Sequence, residues 1–217
     1  MRRPIWIFLI VFVLCTESYA QPFIQDVNAF AVIDAKQSPP ANAVLLIGSS
    51  SFTYWKDVAD YFPEHLFINR AFGGSSLTHQ IDYIHKVVYP YKPKQILIYC
   101  GENDIAASKL VTADTVLMRF KTLYGLIRER LPDVPIAFVS IKPSPVRAEF
   151  ISTVRESNKL IKEFCERSKK TDFINVFTAM LGDDEKPMED IFIADRLHMN
   201  AKGYRIWEKL IAPYLIK

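Results

Sequence analysis

The chain is predicted to fold as a three-layer α/β domain around a mostly parallel, five-stranded sheet. Three observations predict it. Five short apolar runs are spaced along the chain, at residues 44–47, 66–69, 95–99, 136–140 and 172–176. Several are continuous rather than alternating, which suits parallel strands covered on both faces. Helical patterns fall between them, and strands that alternate with helices build an α/β sheet.

The N-terminus is set aside first. Arg2 and Arg3 make a basic start, residues 5–15 are apolar throughout, and Ser18 and Ala20 place small residues before Gln21. This reads as a secretory signal peptide over residues 1–20, leaving one domain over 21–217. The apolar run is well short of the about 20 residues that a membrane helix needs. No stable membrane span is therefore expected after cleavage, and the mature protein is expected to be secreted or periplasmic. Leu14 before Cys15 argues against lipid attachment there.

Residues 21–43 read as an extended lead-in. The first strand, 44–47, enters a small-residue turn and then a helix that includes Phe52 to Asp60. The clearest helix spans 113–131, with Val116, Phe120, Leu123, Tyr124, Ile127 and Leu131 in one stripe. Thr112 caps its start and Pro132 marks its end. A second spans 147–169, with Phe150, Val154, Ile161 and Phe164 inward. The last spans 201–215, with Trp207, Leu210, Ile211 and Tyr214 on one face and Asn200 as N-cap. Residues 183–187 form a solvated loop. No repeat, low-complexity tract or dividing linker appears.

Composition narrows the function. Of 217 residues, 50% are hydrophobic and 24% charged, and the net charge is +3. That describes a globular chain with a sizeable core. No basic cluster is interleaved with aromatics, so nucleic acid is not an expected partner. Beyond the signal, only Cys100 and Cys165 remain; two cysteines give no disulfide framework, and whether they pair is left open. No CxxC pair, HExxH or carboxylate-rich loop is present, so no structural or catalytic metal is expected.

The chemistry lies at strand ends, where sites in open α/β sheets sit. Gly48-Ser49-Ser50-Ser51 follows the first strand, and Gly48 allows a tight turn. Asp195-Arg196-Leu197-His198 precedes the last helix. Asp-x-x-His lets the carboxylate reach one imidazole nitrogen while the other faces a serine, fixing the tautomer and stabilising the imidazolium. Between them, Asn69-Arg70-Ala71-Phe72-Gly73-Gly74-Ser75 exposes backbone N–H groups. Cys100-Gly101-Glu102-Asn103-Asp104 presents an amide side chain. With the N–H of Ser50 these can hold an oxyanion. Taken singly, each piece is also ordinary turn or capping chemistry.

Together, Gly48-Ser49-Ser50, Gly74, Gly101-Glu102-Asn103-Asp104 and Asp195-Arg196-Leu197-His198 resemble the four blocks of the SGNH (GDSL-type) hydrolases. They stand in the same order and cover roughly residues 44–205. The resemblance implies a flavodoxin-like α/β/α domain that cleaves esters or thioesters without a cofactor. It implies Ser50 as nucleophile, His198 as base and Asp195 as its orienting acid. Ser50, Gly74 and Asn103 would form the oxyanion hole. The chain departs from the pattern at Ser49, where the family usually has an acid, and at Ser51, where leucine is common. Ser50 matches the nucleophile position; Ser49 and Ser51 are assigned turn or cap bonds.

The expected function is an exported serine esterase or acylhydrolase acting on a small-molecule, glycan or lipid ester, with short acyl groups favoured. Two rivals are a catalytically inactive ligand- or glycan-binding protein on the same fold, and a flavodoxin-type cofactor binder. The second would leave Asp195 and His198 without a role. Trp55 is read as core in preference to pocket wall, and Arg70 as a surface ion pair in preference to a substrate contact. Residues 141–145 are either a substrate rim or a rigid turn. Asp104 steadies the Asn103 loop, and His65, His79 and His85 are assigned to the surface.

Overall fold

Every residue of two apolar runs, Val44–Gly48 and Gln95–Tyr99, is buried, which requires cover on both faces. The computed structural model describes residues 21–217. The expected signal segment, residues 1–20, lies outside the described residues. In chain order the elements are α1 (Ile24–Lys36), β1 (Val44–Gly48), α2 (Ser50–Thr53), α3 (Val58–Tyr61), β2 (Phe67–Asn69), α4 (Leu77–Asp82), α5 (Ile84–Val87), β3 (Gln95–Tyr99), α6 (Glu102–Ala107), α7 (Ala113–Arg130), β4 (Ile136–Val139), α8 (Ile151–Glu166), β5 (Thr171–Ile174) and α9 (Ala201–Ile211).

The five strands form one sheet in the order β2-β1-β3-β4-β5, with every pairing parallel. This is the flavodoxin-like order. Strand alternation sends successive side chains to opposite layers. Leu45, Ile47, Ile96, Ile98, Ile136 and Phe138 join one core with Val27 of α1, Leu77 of α4, Phe120 of α7 and Ile161 of α8. Val44, Leu46, Leu97, Tyr99, Ala137 and Val139 join the other with Phe52 of α2 and Trp207 and Ile211 of α9. The chain leaves β1 for β2 on one side and returns to β3 on the other. The carboxyl ends of β1 and β3, where Gly48 pairs with Tyr99, therefore flank a crevice.

The expected strands, the 113–131 helix and both caps agree with the structure. Thr112 Oγ1 accepts from Thr115 N (3.3 Å), and Asn200 Oδ1 accepts from Lys202 N (2.9 Å). Several expectations need correction. Residues 21–43 are not an extended lead-in, because α1 occupies Ile24–Lys36 and Val27 docks into the core. The single helix through Phe52 to Asp60 is instead α2 and α3. The turn between them lets Trp55 drop into the core, where it stacks on Tyr204 at 5.0 Å.

The helix expected from 147 begins at Ile151. A 3-10 segment, Pro145–Phe150, precedes it, and Arg147 there has non-helical φ −115, ψ 24. Helix α9 ends at Ile211 and passes into a 3-10 turn over Ala212–Tyr214; Pro213 lacks the N–H that would continue the α ladder. His85 is exposed, but His65 and His79 are half-buried. His79 caps α4 together with Ser76, so it is not a free surface side chain.

Cys100 and Cys165 are both buried free thiols. Burial pushes both thiols up, Cys165 to about 12, so neither forms a ready nucleophile.

Candidate active site

Strand β1 delivers the nucleophile position. At Gly48 a Cβ would sit 1.9 Å from the Tyr99 carbonyl oxygen, and φ is +132. Only glycine lets β1 turn this close to β3. Ser49 is the extended N-cap residue and is buried, so Ser50 is the first residue of α2. The N–H of a first helical residue has no intrahelical acceptor. The Ser50 hydroxyl lies 3.0 Å from His198 Nε2.

The candidate base, His198, comes from a loop that closes on itself. Ile193 N donates to the His198 carbonyl (2.8 Å), and Asn200 N donates to the Ile191 carbonyl (3.0 Å). Helix α9 can approach because Gly203 lies against this loop; a Cβ there would be 2.7 Å from Ile191 O. Asp195 Oδ1 accepts the N–H groups of Leu197 and His198, both at 2.9 Å. Its Oδ2 lies 2.6 Å from His198 Nδ1. Burial pushes the Asp195 carboxyl up, but hydrogen bonds from His198 and Leu197 outweigh it and hold it at about 2. The Tyr54 ring meets the imidazole edge-on at 4.6 Å and limits its rotation.

The diglycine lies over Ser50: a Cβ on Gly73 would be 3.9 Å from Ser50 Cβ. Gly74 has φ +78, and its N–H makes no hydrogen bond to the described residues. Below it, Ser75 Oγ donates to Gly48 O (3.0 Å), and Gln80 Nε2 donates to Gly48 O (3.1 Å) and Ser75 Oγ (2.9 Å). These buried bonds fix the β1 and β2 loops to one another. Asn103 Nδ2 joins the third loop to them, donating to Ser49 Oγ (2.8 Å) and Ser75 O (2.9 Å). All the candidate residues, Ser50, Gly74, Asn103, Asp195 and His198, thus converge at the carboxyl edge of the sheet.

The supporting residues read as follows. Asp104 ties the Asn103 loop down, accepting from Leu77 N (2.9 Å) and Arg119 Nη1 (2.8 Å). Trp55 is core, 1% exposed. Arg70 does form an ion pair, with Asp34, but it is a buried one, and its Nε also donates to Tyr91 Oη (2.6 Å). Residues 141–145 are a held turn: Ile141 N and O both bond the Asn158 amide at 2.8 Å.

Sequence reasoning missed the charged cluster beside Asn103. Glu102 Oε2 accepts from Lys142 Nζ (2.6 Å) and Tyr99 Oη (2.8 Å), and Oε1 accepts from Ser144 Oγ (2.5 Å). Arg147 lies 3.6 Å from Oε1. Burial pushes Glu102 up, but Lys142 and Arg147 outweigh it and hold the carboxyl below its ordinary range. The available signal was Lys142, three residues past an apolar strand and beside Ile141, since a lysine is seldom buried unless paired.

The chain belongs to the GDSL-like lipase/acylhydrolase family, whose pattern matches residues 46–206. None of the curated proteins matches it in sequence. Among solved structures it is similar to a proposed platelet activating factor from Streptococcus pneumonia, at 19% identity over 88% of this chain and 92% of that chain, with a TM-score of 0.76. A GDSL-like lipase from Bacteroides thetaiotaomicron is 20% identical over 87% and 96%, with a TM-score of 0.72. An acetyl-xylooligosaccharide esterase from Geobacillus Stearmophilus is 15% identical over 82% and 96%, with a TM-score of 0.66. Likeness at these identities concerns the fold. Among the described residues no helix is long and apolar enough to cross a membrane, and no group of three His, Cys, Asp or Glu could hold a metal ion.

Proposed function

We propose that the protein is an exported serine esterase that cleaves carboxylic esters with short acyl groups by way of an acyl-enzyme. The observation that carries the reading is the continuous line Ser50–His198–Asp195, at 3.0 and 2.6 Å. His198 Nε2 takes the Ser50 proton as the hydroxyl oxygen attacks the ester carbonyl. Asp195 keeps the other proton on Nδ1 and stabilises the imidazolium. The carbonyl oxygen becomes an oxyanion facing the N–H groups of Ser50 and Gly74 and the amide of Asn103. Each such donor is typically worth about 3 kcal/mol in the transition state. The alcohol leaves with the proton from His198. Water then attacks the acyl-enzyme by the same route and releases the acid.

In the resting arrangement Asn103 Nδ2 already serves Ser49 Oγ and Ser75 O. The oxyanion would draw on the proton shared with Ser49. That makes Ser49 a holder of the empty site rather than an alternative nucleophile.

The substrate proposal, an acetyl ester on a glycan or a small lipid, takes support from the acetyl-xylooligosaccharide esterase and acetyl esterase among the structural neighbours. Export takes support from Arg2, Arg3 and the apolar residues 5–15. The deciding experiment is intact-mass labelling with a fluorophosphonate, peptide mapping, and p-nitrophenyl acetate turnover beside Ser50→Ala and Ser49→Ala. An adduct on Ser50, turnover lost in Ser50→Ala and retained in Ser49→Ala, is expected. An adduct on Ser49 would move the nucleophile. Folded protein with neither label nor turnover would favour a binding role.

A further inference from the structure

We infer that Arg147 is a positioning residue for the oxyanion hole, fixing and polarising the Asn103 amide from behind. The inference rests on the esterase reading and adds a residue outside the four sequence blocks. Arg147 Nη2 donates to Asn103 Oδ1 at 2.8 Å. A guanidinium has donors only, so it can face the amide oxygen but never the amide nitrogen. Arg147 therefore holds the amide oxygen in the same sense in which the Ser75 carbonyl, an acceptor only, holds the nitrogen, with Nδ2 pointing at Ser49 Oγ and Ser75 O on the nucleophile side. The Ser49 hydroxyl, which both donates and accepts, imposes no such preference, so the orientation rests on Arg147 at the oxygen and the Ser75 carbonyl at the nitrogen.

The position of the guanidinium is itself determined. Its other nitrogen, Nη1, lies 3.6 Å from Glu102 Oε1, and the Arg147 side chain is only 21% exposed. Glu102 is the neighbour of Asn103, so the carboxylate and the amide present a joint cradle to one guanidinium. The backbone of the same segment is held at both ends. Arg147 N donates to Ser144 O (2.9 Å), and Val146 N donates to Arg196 O (3.2 Å), beside the acid of the triad. One short segment thus connects the oxyanion loop to the Asp195 loop.

Charge adds to geometry. Glu102 carries one negative charge against two cations, Lys142 at 2.6 Å and Arg147 at 3.6 Å. The balance leaves positive charge behind the amide oxygen. Positive charge there draws electron density from the amide and strengthens Nδ2–H as a donor. The gain is largest when that donor meets an oxyanion, so it appears in the transition state and not in substrate binding.

The test is a double-mutant cycle with p-nitrophenyl acetate, using Arg147→Met, Asn103→Ala and both together in the full mature chain. Loss of a whole oxyanion donor costs about 100–1,000-fold in kcat. Arg147→Met, which leaves the donor but removes the cation that anchors and polarises its amide oxygen, is expected to cost about 10–100-fold in kcat with KM changed less than about threefold. In the Asn103→Ala background the same substitution is expected to change kcat less than about threefold, because the group it acts through is gone. Arg147→Lys, a donor-only cation that keeps the polarity argument, is expected to recover part of the loss. Arg147→Ala replaces Arg147→Met in the cycle should that variant melt early.

Equal losses from Arg147→Met in both backgrounds, or a loss carried by KM, would overturn the inference while leaving the esterase intact. Wild-type protein that neither labels nor turns over ester would overturn the esterase reading and this inference with it.

Discussion

Asp195→Asn exchanges one carboxylate oxygen for an NH2 group and tests the whole proposed triad. Asp195 Oδ1 accepts two backbone N–H groups at 2.9 Å, and an asparagine carbonyl oxygen keeps both. The amide nitrogen is thereby forced into the place of Oδ2, 2.6 Å from His198 Nδ1. An NH2 group can only donate, so Nδ1 must become the acceptor and the ring proton must move to Nε2. Nε2 then presents N–H to Ser50 Oγ and cannot take its proton. This wrong-tautomer effect is worth about 10,000-fold in kcat in the chymotrypsin-type triad, or about 5.5 kcal/mol at 1.36 kcal/mol per decade.

Stability should barely move, because the lost bond is at a carboxylate 43% exposed, where such pairs contribute about 1 kcal/mol or less. The assay is p-nitrophenyl acetate turnover at neutral pH beside a thermal melt. More than a tenth of wild-type kcat in a folded Asp195→Asn protein would refute the assignment of Asp195 as the orienting acid.

Acid should act through the same carboxyl. Its folded value of about 2 lies below the ordinary 3.8, so the unfolded chain takes up this proton first as pH falls. The stabilisation is fully present above pH 3.8 and is lost toward pH 2. Urea melts across that window should show a shallower acid loss in Asp195→Asn than in wild type, and parallel curves would contradict the ordering. Glu102→Gln leaves Lys142 buried without its counter-charge, a change that costs about 3–5 kcal/mol. At about 2–4 °C per kcal/mol for a domain of this size, Tm should fall about 6–20 °C, and a fall under about 3 °C would mean that the lysine is not held charged. Gly48→Ala places a methyl 1.9 Å from Tyr99 O at positive φ, and soluble, folded protein of normal Tm would show that β1 can leave β3 cheaply. Phe23→Ala removes a half-buried ring from beside Gly74 and Phe72, and a stability loss of about 1–2 kcal/mol by urea melt is expected; no loss would leave the N-terminal segment without a packing role.

Much of the molecule is legible without coordinates because its rules are local. The continuous apolar runs become strands since only a doubly covered sheet can bury Val44 to Gly48 or Gln95 to Tyr99 entirely. Thr112 and Asn200 cap helices because a side-chain oxygen answers a free N–H two or three residues on. Asp195 and His198 find one another for the same reason: three residues apart, they need only one turn. The family pattern over residues 46–206 is made of such local pieces.

Tertiary structure decided what depends on distant partners. Residues 21–43 read as an extended lead-in, and α1 emerges only with the sheet in place, where Val27 joins the core that also holds Val87 and Tyr91. Trp55 breaks the helix after Ser50 because Tyr204 and Trp207 offer it a buried site, and no neighbour in sequence announces that. The Glu102–Lys142–Arg147 cluster joins residues some forty positions apart, and its value lies in the desolvation that only a packed core imposes. The order of the strands placed Gly48 beside Tyr99 and so put Asn103 within reach of Ser49. Local chemistry named the residues of the site; the parallel pairing of β1 and β3, with the loop before α9 closed over their carboxyl ends, brought them within a hydrogen bond of each other.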